Sequence, residues 1–270
     1  MKKNTLIIIV VLVAALFEIV SSLTESKSTG PSSSFSSSSN QKAKIEQPTI
    51  KLSPYGAKAT EDTWPNITDS QAMAGDLLTS NYYIVLDGSG SMADRGCSGN
   101  GNKMTAAKAA LNTFSGQIPA DANVGLFVFD ARGAGEKVPL SPFNRTLFME
   151  KVSSSMTGGG TPLKTSVEAG YKALSKQAEA QLGYGEYHLV IVTDGAASQG
   201  QSPVDAVYTV INTSPIVIHT IGFCIDSSHS LNRAGLTNYR SADDSKSLEQ
   251  GLEAVLAEAP SFQTNSFGKD

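Results

Sequence analysis

Oxygen-bearing side chains collect directly after an apolar run at residues 82–92, which read YYIVLDGSGSM. The carboxylate of Asp87 is followed by two glycines and by the hydroxyls of Ser89 and Ser91. Such groups can supply a nucleophile, surround a phosphate or hold a metal ion. The spacing opposes the first two uses, because a nucleophile elbow needs Gly-x-Ser-x-Gly and a phosphate loop needs Gly-x-x-x-x-Gly-Lys followed by Ser or Thr.

Two further loops carry similar chemistry. Residues 156–163 read MTGGGTPL and supply Thr161, and residues 190–198 read VIVTDGAAS and supply Asp194. The oxygens of Asp87, Ser89, Ser91, Thr161 and Asp194 are all hard donors, and no His or Cys stands in these loops. Carboxylates and hydroxyls in a small space suit Mg²⁺, or alternatively Mn²⁺, because both ions prefer octahedral oxygen coordination.

The elements around these loops predict that they meet. Four runs are apolar on consecutive residues, which is typical of buried parallel strands, and helical patterns lie between them. We therefore expect an α/β fold in three layers, with a mostly parallel central sheet and helices on both faces. In such sheets the binding crevice lies at the carboxyl ends of the strands. The predicted strands are 82–86, 124–129, 190–193 and 216–221.

Four helices are predicted from apolar periodicity and from residues that favour helix starts. The first has an apolar face formed by Met104, Ala107, Leu111, Phe114 and Ile118. The second is expected to start with the Thr161 hydroxyl as its cap and Pro162 at its first position, and to bury Leu163, Val167, Leu174 and Ala178. The third opens at Ser202, Pro203 and Asp205, and the fourth runs from Ser247.

The motifs DGSGSM, GGGTPL and TDG, in this order, resemble the metal-ion-dependent adhesion site of von Willebrand factor type A domains. The resemblance covers about residues 81–259 and implies that family's Rossmann-like fold. It implies that Ser89 and Ser91 bind a Mg²⁺ ion directly, that Thr161 does so in the ligand-occupied state, and that Asp87 and Asp194 act directly or through water. It also implies an open coordination position, filled by an Asp or Glu of a partner protein or by an acidic envelope component.

Other functions are disfavoured. The formal net charge is −4 and no basic stripe is visible, which opposes nucleic-acid binding. His188 and His219 fall at or within strands, and His229 has no evident acid partner, so we expect no enzyme activity, with metal-dependent hydrolysis as a minor alternative. Two other binding roles stay open: an adaptor or scaffold of a membrane-associated complex working with an AAA+ ATPase, and a metal-stabilised structural domain.

The N-terminal part predicts export. Residues 1–22 begin with two lysines and an apolar run, which is typical of a signal peptide or of an N-terminal membrane anchor. We expect residues 23–78 to form a serine-rich flexible linker, in which Trp64 docks onto the domain. We expect the folded domain at 79–260 and a short tail at 261–270. The protein would be periplasmic, anchored outside the cytoplasm, or secreted to the cell surface, with membrane contact through the N-terminal segment only.

The two cysteines map to the same rim as the candidate site. Cys97 lies in the insert RGCSGNGNK (95–103), and Cys224 follows the last predicted strand. In an exported protein such a pair is first interpreted as a disulfide, with two separate thiols as the alternative. The insert either shapes partner choice or is a mobile loop. Asp94 and Asp130 are interpreted as solvated loop carboxylates rather than as groups that tune the metal.

Overall fold

The computed structural model describes residues 64–67 and 72–257. The predicted signal or anchor segment (1–22), the larger part of the predicted linker (23–78) and the predicted tail (261–270) lie outside these residues. In chain order the elements are β1 (Ser80–Asp87), a short 3-10 helix (Gly90–Ala93), α1 (Lys103–Gln117), β2 (Asn123–Asp130), β3 (Gly133–Pro142), α2 (Arg145–Ser154), α3 (Leu163–Ala180), β4 (Glu186–Thr193), α4 (Val204–Thr213), β5 (Val217–Phe223), β6 (Asn238–Ala242) and α5 (Ser245–Ala257).

The strands form one six-stranded sheet in the order β3-β2-β1-β4-β5-β6. All neighbouring pairs are parallel except β2 and β3. The predicted three-layer α/β fold is confirmed, and its four predicted strands are β1, β2, β4 and β5. The patterns did not reveal β3 and β6, because both lie at the edges of the sheet and expose many of their side chains. Helix α2 was missed as well, since only Phe148 and Val152 of its residues are buried.

Alternating side chains of β1 divide the core into two layers. Tyr82, Ile84 and Leu86 pack in the layer that is covered by α1, α2 and α5. Tyr83 and Val85 point into the opposite layer, which is covered by α3 and α4. The central strands are apolar on both faces, so a shift in their register would still leave them buried. Helices must therefore cover both sides of the sheet. This arrangement leaves the carboxyl ends of the strands as the place for polar chemistry.

The helices match their predicted apolar faces but not all of their predicted starts. The five residues predicted for the face of α1 are buried, as are the four predicted for α3. However, α3 begins at Leu163 with Pro162 as its cap, and no side chain caps it, so the predicted capping role of Thr161 is wrong. The backbone N–H of Leu163 donates to the carbonyl of Thr161 at 3.0 Å instead. The Thr161 hydroxyl is therefore not used by the helix.

Trp64 packs on the domain, as predicted. Its indole Nε1 donates a hydrogen bond of 2.9 Å to Ser175 Oγ on α3. Its ring meets Tyr187 edge-on, with 5.0 Å between the ring centroids. A second contact nearby joins Ala74 N to Ala180 O at 2.8 Å. Part of the predicted linker thus lies against α3 and β4.

No helix in the described ranges 64–67 and 72–257 has the length and apolar character needed to cross a membrane. The described helices instead bury one face against the sheet and expose the other.

Cys97 and Cys224 form a disulfide, as predicted from the sequence. Their Cα atoms are 5.9 Å apart and the two residues are separated by 127 positions in the chain. The bridge joins the loop that precedes α1 to the end of β5. It therefore fixes the 95–102 loop at the carboxyl rim of the sheet.

A pair of histidines lies inside the core. His188 Nδ1 on β4 and His219 Nε2 on β5 are 3.2 Å apart, and each residue is only 3% exposed. The His188 ring also stacks on Tyr82, with 4.9 Å between centroids. The pKa of His219 is lowered to about 3, mainly by burial and in addition by the nearby His188 and Arg240. The folded state therefore holds His219 in its neutral form.

We expect the disulfide to contribute on the order of 2–5 kcal/mol to the free energy of unfolding, because it constrains a long loop in the unfolded chain. Urea unfolding of the wild type with and without dithiothreitol measures this contribution. The double variant Cys97→Ser/Cys224→Ser serves as the control, since its unfolding curve should not respond to the reductant. Equal stability of the oxidised and reduced wild type would contradict the expectation.

We also expect acid to destabilise the fold through His219. The folded pKa of His219, about 3, is below the unfolded value of about 6.5. Its contribution to the free energy of unfolding is therefore complete above pH 6.5 and is lost as the pH falls toward 3. The loss approaches about 1.4 kcal/mol per pH unit. Urea unfolding between pH 7 and pH 4 should show a shallower decline for His219→Gln than for the wild type. Parallel declines would show that His219 is not responsible.

Candidate metal centre

Asp87 is the most buried carboxylate of the predicted site. It is the last residue of β1, and the register pairs its neighbour Leu86 with Val192 of β4. Its Oδ1 accepts the backbone N–H of Ser89 at 2.7 Å, and its Oδ2 accepts the Thr193 hydroxyl at 2.6 Å. The pKa of Asp87 is raised to about 6, because burial outweighs the hydrogen bonds from Ser89 and Thr193 that lower it. The carboxylate is thus held in a fixed orientation with little solvent to stabilise its charge.

Hydroxyl groups connect the first loop to Asp194. Ser89 Oγ and Ser91 Oγ are 3.1 Å apart, and the Ser91 hydroxyl donates to Asp194 Oδ1 at 2.7 Å. Asp194 follows the last residue of β4 and is 3% exposed. The structure therefore brings four of the five predicted ligands into one connected group, at the carboxyl ends of two adjacent strands.

Lys103 was not predicted to belong to this site. Its Nζ donates to Asp194 Oδ2 at 2.8 Å, and the side chains of Lys103 and Asp194 are 10% and 0% exposed. Both oxygens of Asp194 are thus engaged by protein groups. A sequence signal was present, because Lys103 stands four residues before Ala107 on the apolar face of α1. A lysine on a buried helix face requires a partner of opposite charge.

The glycine-rich loop 158–160 lies directly against the first ligand loop, residues 88–91 after β1. Gly158 N donates to Gly88 O at 2.8 Å, and Gly90 N donates to Gly159 O at 3.2 Å. A Cβ atom at Gly88 would lie 2.8 Å from the carbonyl oxygen of Met156, a distance that leaves no room for a side chain. Glycine at position 88 is therefore required by the close approach of the two loops.

Thr161 reaches the same rim but stands slightly apart. Its N–H donates to Ser198 Oγ at 2.8 Å, and Ser198 N donates back to Thr161 O at 3.0 Å. Ser198 comes four residues after Asp194. The hydrogen bonds between Thr161 and Ser198 therefore join the loop 156–163 to the loop 190–198. Among the described residues, none forms a hydrogen bond with the Thr161 hydroxyl. Thr161 is therefore the one predicted ligand that the described hydrogen bonds do not connect to the other four.

Asp94 and Asp130 differ from each other in their environments. Asp94 is exposed, in agreement with its interpretation as a solvated loop carboxylate. For Asp130 that interpretation is wrong, because its side chain is 0% exposed and Arg132 Nη2 donates to it at 2.9 Å. Burial alone would raise the pKa of Asp130, but hydrogen bonds from Arg132 and from Met156 N lower it. Asp130 already has a cationic partner of its own.

His229 supports the loop behind Asp194. Its Nδ1 accepts the backbone N–H of Leu231 at 3.2 Å, so the proton of a neutral ring is on Nε2, which donates to Gly195 O at 2.9 Å. Burial lowers the pKa of His229, which favours this neutral state. The ring therefore fixes two backbone segments in place.

Two clefts flank the contact between Thr161 and Ser198. The larger has a volume of about 620 Å³ and lies between the loops after β4 and β5, where Asp226 and Ser228 line it. The smaller, of about 320 Å³, is lined by residues that include Asp130 and Thr161. Ser198 lines both clefts. Side chains of a bound molecule would therefore find space on either side of the predicted site.

The donor set fits a hard divalent cation such as Mg²⁺ or Mn²⁺. It consists of two carboxylates and three hydroxyls, with no nitrogen or sulfur ligand among them. Within residues 64–67 and 72–257, no group of three or more His, Cys, Asp or Glu side chains could hold a metal. A cation at this rim would therefore depend on the serine and threonine hydroxyls for part of its coordination.

Comparison with known proteins agrees with this architecture. Residues 82–196 match the family model for the von Willebrand factor type A domain. The chain is also 26% identical over 196 residues to the uncharacterized protein YwmD of Bacillus subtilis, a match that covers 64% of this chain and 84% of YwmD. The family-model match at 82–196 contains all five predicted ligands.

Solved structures show the same fold at low sequence identity. A von Willebrand factor type A protein from Catenulispora acidiphila is 18% identical with a TM-score of 0.55, over 67% of this chain and 42% of that one. Proximal thread matrix protein 1 from the mussel byssus, solved with a zinc-occupied MIDAS motif, is 13% identical with a TM-score of 0.54, over 66% and 47% of the two chains. This chain thus spans less than half of either solved protein. Residues 82–196 thus match the von Willebrand factor type A family, and the sheet order and these structures show the same fold.

Proposed function

We propose that this domain binds another protein through a divalent metal, in the manner of an adhesion domain. The ligands would be Asp87, Ser89, Ser91, Thr161 and Asp194, with Mg²⁺ as the ion and Mn²⁺ as an alternative. The observation that carries the proposal is the hydrogen-bonded connection of four of these residues, from Asp87 through Ser91 to Asp194. When bound, the cation would offer a coordination position to an Asp or Glu carboxylate of the partner.

The charges at the rim favour an acidic partner. Two buried carboxylates and the ammonium of Lys103 leave one net negative charge among the contacting groups. A divalent cation added to them would give the rim a net positive charge. An incoming carboxylate is then attracted, and attracted strongly, because little solvent screens charges in a site this buried. Neutral hydroxyl ligands serve this purpose better than additional carboxylates would.

The mussel protein supports the choice of site. It has the same fold and has been observed with zinc in its metal-ion-dependent adhesion site. The motif by which this chain resembles such a site is complete, and its side chains lie at the carboxyl rim of the sheet. We therefore propose the same location for the cation here, with Mg²⁺ favoured over zinc by the oxygen-only donor set.

The disulfide supports a location outside the cytoplasm. Bridges such as Cys97–Cys224 persist in oxidising compartments and are rare in the cytosol. Together with the export-type sequence at residues 1–22, this favours a periplasmic, surface or secreted domain held by its serine-rich linker. An adaptor role beside an AAA+ ATPase is less favoured for the same reason, because such partners commonly work in the cytoplasm. We propose no enzymatic activity.

A purely structural role for the metal is also less favoured. The three loops are already joined by hydrogen bonds between protein groups, including Gly158 N to Gly88 O and Thr161 N to Ser198 Oγ. A cation is therefore not needed to hold them together. The Thr161 hydroxyl, which has no hydrogen-bond partner within residues 64–67 and 72–257, and the clefts beside Ser198 instead favour a surface that receives a ligand.

We expect Mg²⁺ to raise the thermal midpoint of the wild type, because an ion that binds only the folded state stabilises it. At a concentration 100 times the Kd the gain is about 2.7 kcal/mol. Ser91→Ala should weaken Mg²⁺ binding by about tenfold or more in calorimetric titration. Ser153→Ala, an exposed serine on α2, is the matched control and should bind like the wild type. Equal affinity in Ser91→Ala would contradict the assigned ligand set.

We expect partner capture to require both the metal and Asp87. Wild type and Asp87→Ala, each with Mg²⁺ and with EDTA, would be used to capture proteins from an extract of the cell envelope. Only the wild type with Mg²⁺ should retain the specific partner, and a soluble acidic peptide in excess should release it. Recovery of the same partner under all four conditions would show that binding does not use a metal bridge.

A further inference from the structure

We propose that Lys103 is a built-in counter-cation of this site, which competes with the divalent ion for Asp194 and thereby sets the metal affinity. The inference rests on the proposed function in assuming that the cation binds at this rim. It assigns a positioning role to a residue outside the predicted ligand set.

The contact itself is direct and buried. Lys103 Nζ lies 2.8 Å from Asp194 Oδ2, while Asp194 Oδ1 accepts the Ser91 hydroxyl at 2.7 Å. The lysine side chain is 10% exposed and that of Asp194 is 0% exposed. Ion pairs on the surface contribute little to stability. A buried ion pair, in contrast, strongly affects the charges around it, because water does not screen the pair. Lys103 is therefore placed to act on the electrostatics of the site.

The backbone around Lys103 fixes this placement. Lys103 is the first residue of α1, and its N–H donates to the carbonyl of Asp94 at 2.9 Å. The preceding residue, Asn102, caps the helix by accepting Thr105 N at 2.9 Å. Both contacts hold the start of the helix against the end of the first ligand loop. The lysine side chain consequently points at Asp194 rather than into solvent.

The loop 95–102, which is the insert without Lys103, adds a second constraint on the same helix start. Ser98 Oγ donates to the carbonyls of Arg95 at 3.0 Å and Gly101 at 3.1 Å, so the loop closes on itself. The Cys97–Cys224 disulfide then anchors the loop to the end of β5. The insert therefore has a structural consequence, which is to deliver Lys103 at a defined position beside the site.

Two effects on metal binding follow from this geometry. A divalent ion near Asp194 is repelled by the lysine ammonium, which lowers the affinity of the site. In the absence of the ion, the same ammonium compensates a buried carboxylate that would otherwise have only the Ser91 hydroxyl and no positive charge beside it. Lys103 thus stabilises the metal-free rim and weakens binding of the ion. Removing its charge should strengthen ion binding while weakening the metal-free fold.

The test compares Mg²⁺ affinity and thermal midpoint in four variants of the full chain. Lys103→Met removes the charge, Lys103→Gln removes it but keeps a hydrogen-bond donor for Asp194, and Lys103→Arg retains it. Lys172→Met, an exposed lysine on α3, is the matched control. We expect Kd for Mg²⁺ to be on the order of tenfold or more lower in Lys103→Met and Lys103→Gln, and near the wild-type value in the other two.

The thermal midpoints distinguish an effect of Lys103 on metal affinity from a merely structural role. Lys103→Met should melt below the wild type without Mg²⁺, and the deficit should shrink at saturating Mg²⁺, because tighter binding adds more stability. If Lys103→Met does not fold without the ion, Lys103→Gln provides the same comparison. A constant deficit, with an unchanged Kd in the neutral variants, would overturn the inference while leaving the proposed function intact. If neither the wild type nor the neutral variants bind Mg²⁺, the inference and the proposed function are both overturned. If only the neutral variants bind Mg²⁺, the inference is supported and the proposed function of the native chain is overturned.

Discussion

The candidate site depends on the burial of two carboxylates at the ends of adjacent parallel strands. Asp87 ends β1 and Asp194 follows β4, and the two residues are 0% and 3% exposed. Buried carboxylates must be compensated by hydrogen bonds or by positive charge. The surrounding groups do both: Ser89, Ser91 and Thr193 supply hydrogen bonds, and Lys103 supplies a positive charge. This requirement explains why hydroxyl-bearing side chains crowd the rim.

The remainder of the fold holds these groups in position. Apolar central strands are covered by helices on both faces, and the polar side chains of the candidate site lie at the strand ends. Tight packing at Gly88 lets the glycine-rich loop lie against the first ligand loop. The disulfide and the Ser98 hydrogen bonds fix the start of α1 from the other side. At this end of the sheet, the contacts that stabilise the fold therefore also position the candidate site.

The central strands, the apolar helix faces, the Cys97–Cys224 bridge and the docking of Trp64 followed from the sequence, because each rests on burial or on a simple pairing rule. Edge strand β3 was missed because an edge strand exposes many of its side chains and lacks the continuous apolar run of a central strand. Thr161 was assigned as a helix cap, whereas Pro162 takes that place and the backbone of Thr161 is used instead. Asp130 was taken as solvated because its partner, Arg132, is recognisable only once the loop is folded. Lys103 was missed for a related reason, since its role depends on a contact 91 residues along the chain.

The central claim is that a divalent cation binds at the hydroxyls of the first loop, and diffraction from crystals grown with Mn²⁺ tests it most directly. Anomalous scattering locates Mn²⁺ without reference to any assumed ligand. The expected result is one strong peak about 2.0–2.2 Å from the Oγ atoms of Ser89 and Ser91, with the Thr161 hydroxyl or a water at a further position. No peak at this rim at saturating Mn²⁺, or a peak held by other side chains, would contradict the account.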